Sequence, residues 1–163
     1  MANMEFLRAN ALNTTTQAVV QSNTGLAQYL FDRNDRVGYS TVGYTTNTST
    51  LITITLTSAQ VVSGLLLQRH NMRQFRAFYN SLTTNTFTPD INVSANSATT
   101  SYFSFNSTTV SSITLQIDTA ITTDTERTVG EMILTERIIR FPNNPDANSF
   151  RPTIKKERIF HRM

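Results

Sequence analysis

Residues 51–57, Leu-Ile-Thr-Ile-Thr-Leu-Thr, constrain the chain more than any other stretch. Ile52, Ile54 and Leu56 fall on one side and Thr53, Thr55 and Thr57 on the other. That period of two belongs to a strand with one buried and one wet face. Residues 61–67 follow, apolar at consecutive positions, as in a strand near the middle of a sheet and buried on both faces. Residues 75–79 make a third strand, and the polar, basic connection over residues 69–74 is expected to be a surface loop. It is the first place to look for a partner.

The flanking sequence carries the same grammar. Residues 5–9 suggest a helical turn or two, and residues 16–22 a short first strand. Residues 25–31, capped by Asn23 and Thr24, read as a short helical segment with Leu26, Leu30 and Phe31 inward. A charged turn follows at residues 32–36. After the central strands comes a long polar region, residues 80–101, with room for a short edge strand. Phe103 and Phe105 share a face, and Ile113, Leu115 and Ile117 alternate with polar residues. Residues 119–126 form a loop, residues 128–135 the last strong strand, and residues 137–141 an extension of it or one strand more.

Seven or eight short strands, few helices and no βαβ alternation indicate an all-β protein, an antiparallel β-sandwich of jelly-roll type. Turn residues over 143–148 separate this domain, residues 1–141, from an extended C-terminal arm or linker, residues 142–163. The chain of 163 residues is long enough for one domain with a proper core. It has no cysteine, so the core must hold it together without disulfides or thiolate metal sites. No run approaches the length of a membrane span or of a signal-peptide core, which makes a cytoplasmic origin the default expectation and membrane insertion none.

About one residue in three is Ser, Thr or Asn, and Lys155 and Lys156 are the only lysines. Threonine on exposed strand faces favours pleated structure without adding charge. Four Asn-X-Ser/Thr sequons, at Asn13, Asn47, Asn92 and Asn106, follow from that richness. The net charge of +3 is uneven. Arg151, Lys155, Lys156, Arg158 and Arg162 against Glu157 give the end of the chain +4, so the remainder carries −1. Phe150, Ile154 and Phe160 lie among those bases. A purely electrostatic tail has no need of them, so the arm is read as an interface with protein rather than with phosphate.

Catalysis finds no constellation. The two histidines are His70, after a buried strand, and His161, in the tail, and the five glycines form no phosphate loop. The expectation is a protein that is not an enzyme. A sugar would need aromatics at loop ends with polar neighbours. Tyr39, Tyr44, His70, Asn71, Arg73 and Tyr79 are the candidates, against the alternative that the tyrosines close the ends of the core and His70 serves structure. Arg69, Arg73 and Arg76 interleave with Phe75, Phe78 and Tyr79, an array that can bind single-stranded nucleic acid. Alternation makes it one strand's wet face beside a loop, so nucleic acid is not the expected partner.

The order of features resembles the discoidin-like, galactose-binding-type jelly rolls, which include many carbohydrate-binding modules. Residues 30–35 (Leu-Phe-Asp-Arg-Asn-Asp) leading to Tyr39-Ser40, residues 51–56 with residues 62–68, and residues 129–134 (Val-Gly-Glu-Met-Ile-Leu) carry the likeness. It extends over residues 16–135. A narrower likeness, in His70-Asn71 with residues 75–79, residues 130–134 and the Pro-containing basic arm, is to the discoidin-like domains of tailed-bacteriophage virion proteins. The chain departs from the wider family in having no tryptophan, with Tyr39 where an aromatic is expected. The resemblance implies calcium between the turn after the first strand and a Glu on the closing strand, here Asp32, Asp35 and Glu131. Oxygen ligands of this kind suit calcium, although a turn capped by Asp32 explains the same residues.

These readings combine into an expected non-enzymatic structural component of a phage-like virion, in the tail or baseplate. It would assemble in the host cytoplasm with other virion subunits and with copies of itself. The alternative is a carbohydrate-binding module that attaches a particle or enzyme to a glycan, and a third option is an accessory domain of a larger enzyme.

Overall fold

The alternation over residues 51–57 and the apolar run over residues 61–67 belong to one continuous strand. The computed structural model describes residues 5–12, 17–21, 27–31, 37–41, 49–123 and 125–140. In it, β4 (Thr50–Gln68) runs for 19 residues and β7 (Thr100–Ala120) for 21. The two pair antiparallel along most of their length, from Thr50↔Ile117 to Gln68↔Thr100. The polar stretch that separates the two expected strands is an irregularity inside this ladder. Thr55 pairs Ser112 and Gln60 pairs Val110, so residues 56–59 stand opposite a single residue of β7. A bulge of this kind bends a strand without ending it.

Each half of β4 has a different second neighbour. The first half pairs β2 (Gln17–Gln21), from Thr55↔Gln17 to Leu51↔Gln21. The second half pairs β9 (Glu131–Thr135), from Gly64↔Thr135 to Gln68↔Glu131. The second half therefore has a strand on both sides, as its apolar run requires, with Leu65 and Leu67 completely buried. The far half of β7 pairs β5 (Met72–Tyr79), and β5 pairs the short β6 (Asn92–Val93). One layer is thus β2, the first half of β4, the second half of β7, β5 and β6. The other is the first half of β7, the second half of β4 and β9.

The layers close on each other through aromatic rings. Phe75 of β5 meets Phe103 of β7 edge-on at 5.9 Å between centroids, and Phe87 lies 4.2 Å from Phe105. Ile52, Ile54, Ile113, Leu115, Ile117, Met132 and Leu134 fill the space between them. Each such side chain contributes roughly 1.5–3 kcal/mol through burial. A 3-10 helix, Ala27–Leu30, delivers Leu30 and Phe31 into that core, the inward placement expected for the N-terminal helical segment.

Several local expectations are corrected. Residues around Glu5 form a strand, β1 (Glu5–Leu7), paired with β10 (Arg137–Arg140) rather than a helical turn. The connection after β4 is shorter than its polarity suggests: residues 69–71 turn, while Met72 already lies in β5 and is completely buried. The last strong strand breaks at Gly130. Before the break, β8 (Thr128–Val129) pairs β3 (Tyr39–Ser40); after it, β9 joins β4. The C-terminal arm, residues 142–163, lies outside the described residues.

Candidate functional site: the loop end around Arg69

The described residues of four segments meet where β4 turns into β5: 37–41, 69–73, 94–99, and 121–123 with 125–130. Backbone bonds join them, with the His70 N–H donating to the Thr99 carbonyl (2.9 Å) and the Asn96 N–H to the Arg73 carbonyl (2.9 Å). Asn71 is the clasp. Its N–H donates to the Thr128 carbonyl (3.2 Å), its carbonyl accepts the Ile121 N–H (2.6 Å), and its Nδ2 donates to the Glu126 carbonyl (2.6 Å). Its Oδ1 accepts the Thr128 N–H at 2.8 Å. Polar side chains that bond to nearby backbone hold turns in this way.

Arg69 sits at the tightest point, in the left-handed backbone region with φ 50°. Non-glycine residues seldom adopt it, and such positions cluster at functional sites. Its side chain lies over Gly130, where an added Cβ would stand 2.7 Å from Arg69 Nε and 2.8 Å from Arg69 Cβ. Gly130 in turn meets Gly38 backbone to backbone, at 2.8 Å from the Cβ position of Gly38 to Gly130 Cα. Two glycines are needed because any side chain would fill the space that the Arg69 side chain and the facing backbone occupy. The resulting cleft has a volume of about 300 Å³ and is lined by Gly38, Tyr39, Ser40, Arg69, Thr128, Val129 and Gly130. Ser40 Oγ donates to Glu126 Oε2 at 2.7 Å. Exposed Arg69 and half-buried Ser40 thus line one cleft, with the Glu126 carboxylate attached to it only through the Ser40 hydroxyl.

The structure separates the residues expected to bind a ligand. Tyr39 is buried, so it offers no ring to a sugar; burial pushes its phenol up to about 12, partly offset by Arg127. Its hydroxyl has no hydrogen-bond partner among the described residues. His70 is also buried, at 1 % exposure, with Nδ1 accepting the Met72 N–H (3.3 Å) and Nε2 against Ser101 Oγ (2.9 Å). Burial lowers its pKa, and the neutral ring completes the core edge-on to Phe75 at 5.6 Å. Asn71 spends both ends of its side chain on the loops. Arg73 is exposed at the start of β5. Tyr79 is half-buried at the opposite end of that strand, 5.1 Å from Phe87, roughly 20 Å from Arg73 at a strand's rise per residue. Tyr44 lies outside the described residues, as do Asp32 and Asp35. Glu131 is half-buried opposite Gln68. Among the described residues, no three His, Cys, Asp or Glu gather as a metal site.

Two residues outside the expected ligand set organise this end. Arg69 stands out in sequence only as part of the basic array with Arg73 and Arg76, with no mark of its left-handed backbone. Arg127, at 2 % exposure, donates from Nη1 to Thr50 Oγ1 and from Nη2 to the Asp118 carbonyl, both at 2.7 Å. A lone arginine after a loop gives no sequence signal of burial.

A larger hollow of about 680 Å³ lies at the other end of β9, lined by residues 8–11, 56–61 and Glu136. There Arg8 and Glu136 are paired with each other at 3.2 Å. The loop end, where exposed Arg69 and the Ser40 hydroxyl line one cleft, is taken as the candidate site.

No family model matches the sequence, and no curated protein matches it either. Solved structures do. A mutant of chitosan-binding module 1, from a chitosanase/glucanase of Paenibacillus sp. IK-5, is similar over 78% of this chain and 98% of its own, with TM-score 0.63 and 13% identity. The module CpGH89CBM32-5 of Clostridium perfringens, in complex with GalNAc-β-1,3-galactose, is similar over 73% and 94%, with TM-score 0.58 and 14% identity. Chitosan-binding module 2 of the Paenibacillus enzyme, in complex with chitotriose, is similar over 76% and 97%, with TM-score 0.59 and 16% identity. Identities this low establish a shared jelly-roll fold. They also correct the expectation of a virion component that assembles with other virion subunits and with itself, because the likeness runs to carbohydrate-binding modules. The Ser/Thr/Asn-rich composition behind that expectation reflects wet strand faces, such as Thr53, Thr55 and Thr57 on β4, which any β-sandwich displays.

Proposed function

We propose that the chain is a non-catalytic carbohydrate-binding module, its unit residues 1–141, which takes a glycan at the loop end around Arg69. The observation that carries this reading is the cleft lined by Gly38, Ser40, Arg69 and Gly130, to which the exposed Arg69 side chain and a Ser40 hydroxyl bonded to the Glu126 carboxylate both belong. Sugar hydroxyls are read by such mixed donors and acceptors held on a rigid frame. The paired glycines and the Asn71 clasp supply that frame. Support for the class comes from the jelly-roll likeness to modules solved with GalNAc-β-1,3-galactose and with chitotriose. The two histidines offer no base there: His70 is buried and His161 lies in the arm.

The test is a broad glycan array followed by titration calorimetry on the best ligand. The full chain should bind at least one glycan saturably, and Arg69→Ala should weaken it by roughly tenfold, the loss of about one charged hydrogen bond. An array with no saturable glycan overturns the reading.

A further inference from the structure

The outer face of the three-stranded layer carries an ordered pattern that the loop end does not use. Leu66 of β4 pairs with Tyr102 of β7 on one side and Ile133 of β9 on the other. Tyr102 is 42% exposed, and its two neighbours are half-buried. Two residues along each strand, on the same face, Gln68 stands between Thr100 and Glu131. Two residues the other way, Gly64 stands between Ser104 and Thr135. The face is therefore an apolar row flanked by a polar row and by a row of small residues.

Gly64 explains how the tyrosine is held. A Cβ there would stand 3.0 Å from the Tyr102 hydroxyl oxygen and 3.3 Å from Cε2, so the ring leans onto the bare backbone of the glycine. Glycine weakens a strand interior and commonly marks a close approach; here the approaching group is an aromatic ring. Beside it, Arg137 Nη1 donates to Ser104 Oγ at 2.6 Å.

We propose that this face is a second sugar-binding surface, with Tyr102 as the platform for one or two pyranose rings. The inference rests on the carbohydrate-binding reading but concerns a different part of the molecule. Sugar rings pack their C–H faces on aromatic side chains while flanking polar groups take the hydroxyls, and Gln68, Glu131, Thr100 and Ser104 stand in the adjoining rows. Size favours a sugar over a protein. The row from Tyr102 to Ile133 crosses two strand spacings, about 10 Å, whereas a stable protein contact covers about 800 Å² on each partner.

The experiment is aromatic and amide NMR of the full chain titrated with hexamers of β-1,4-linked glucosamine, N-acetylglucosamine and glucose, and of galactose. The expected result is saturable shifts at Tyr102 and Ile133 that persist in Arg69→Ala. In Tyr102→Leu, which keeps the apolar row and removes the ring, the dissociation constant read at Ile133 should rise roughly tenfold or more. Shifts at Thr128 and Gly130 without any at Tyr102 overturn this second surface and leave the loop-end reading standing. Shifts at neither place overturn this second surface, while the glycan array decides the loop-end reading. Tyr102 shifts that follow protein concentration rather than sugar overturn the proposal in favour of contact between copies of the chain.

Discussion

Asn71 is bonded to Thr128 in both directions, its N–H donating to the Thr128 carbonyl at 3.2 Å while its Oδ1 accepts the Thr128 N–H at 2.8 Å. One side chain thereby does the work of a strand partner at the point where β8 begins. The same side chain also satisfies the Glu126 carbonyl through Nδ2. Asn71→Ala removes both side-chain bonds and leaves the Thr128 N–H and Glu126 carbonyl without them. The expected cost is about 2 kcal/mol, read from the urea midpoint. Asn71→Asp keeps the acceptor and loses the donor, so it should fall between wild type and Asn71→Ala unless the carboxylate repels the Glu126 carbonyl. A loss below about 0.5 kcal/mol in the alanine variant would refute the clasp.

The glycines separate into two classes. At Gly38 a Cβ meets backbone, Gly130 Cα and the Val129 carbonyl oxygen, both at 2.8 Å. At Gly64 the nearest atom is the tip of a tyrosine ring, at 3.0 Å. Gly38→Ala should therefore cost about 2 kcal/mol or more by forcing backbone apart. Gly64→Ala should cost less than about 1 kcal/mol, because the ring can lift and alanine suits a strand better than glycine. Thermal unfolding of both variants checks the order. Equal losses would mean that the backbone contact between Gly38 and Gly130 can relax.

The fold was legible where periodicity and burial coincide. Ile52, Ile54, Ile113, Leu115 and Ile117 alternate with polar residues in sequence and are buried in the structure. The run over residues 61–67 announced a central strand, and it lies between β7 and β9. What periodicity could not show is whether an exposed polar stretch ends a strand: the gap between the two expected strands falls on a bulge at residues 56–59, because the opposite strand carries on. The site was less legible still. Tyr39, His70 and Asn71 have the chemistry of ligand groups, yet tertiary packing buries the first two and commits the third to loop backbone. Arg69 and Gly130 matter through a backbone angle and a distance, neither of which is written in residue type.

Burial of His70 makes stability depend on pH. Desolvation lowers the ring's pKa from its ordinary 6.5 in the folded state, so the unfolded chain takes up the proton first. Stability is then fully present above pH 6.5 and declines as pH falls below it, until the folded-state pKa is reached. Melting temperatures at pH 8 and 7 should agree, and that at pH 5.5 should be lower. His70→Gln, whose amide can still donate to Ser101, should flatten the decline over this window. An unchanged profile in that variant would show that the ring does not carry it.

Arg127 supplies the most demanding test of how the loop end is held. Its N–H donates to Thr41 Oγ1 at 3.0 Å and its carbonyl accepts the Thr41 N–H at 3.1 Å, while its guanidinium reaches Thr50 Oγ1 and the Asp118 carbonyl. Burial lowers its pKa, with Asp118 and Tyr39 acting in the opposite sense, yet an arginine keeps its charge in a protein. A buried charge is tolerated only when such bonds surround it. Arg127→Lys keeps the charge but lacks the planar fork that reaches both partners, so it should cost about 2 kcal/mol. Thr50→Val should cost about 1 kcal/mol in wild type by stripping the Nη1 acceptor. If the 2.7 Å bond is the shared cause, Thr50→Val should cost little more once Arg127 is lysine, and the double-mutant cycle should show a coupling of roughly 1 kcal/mol. Additive losses would mean that Thr50 and Arg127 stabilise the protein independently, and that the Thr50 bond does not hold the fork.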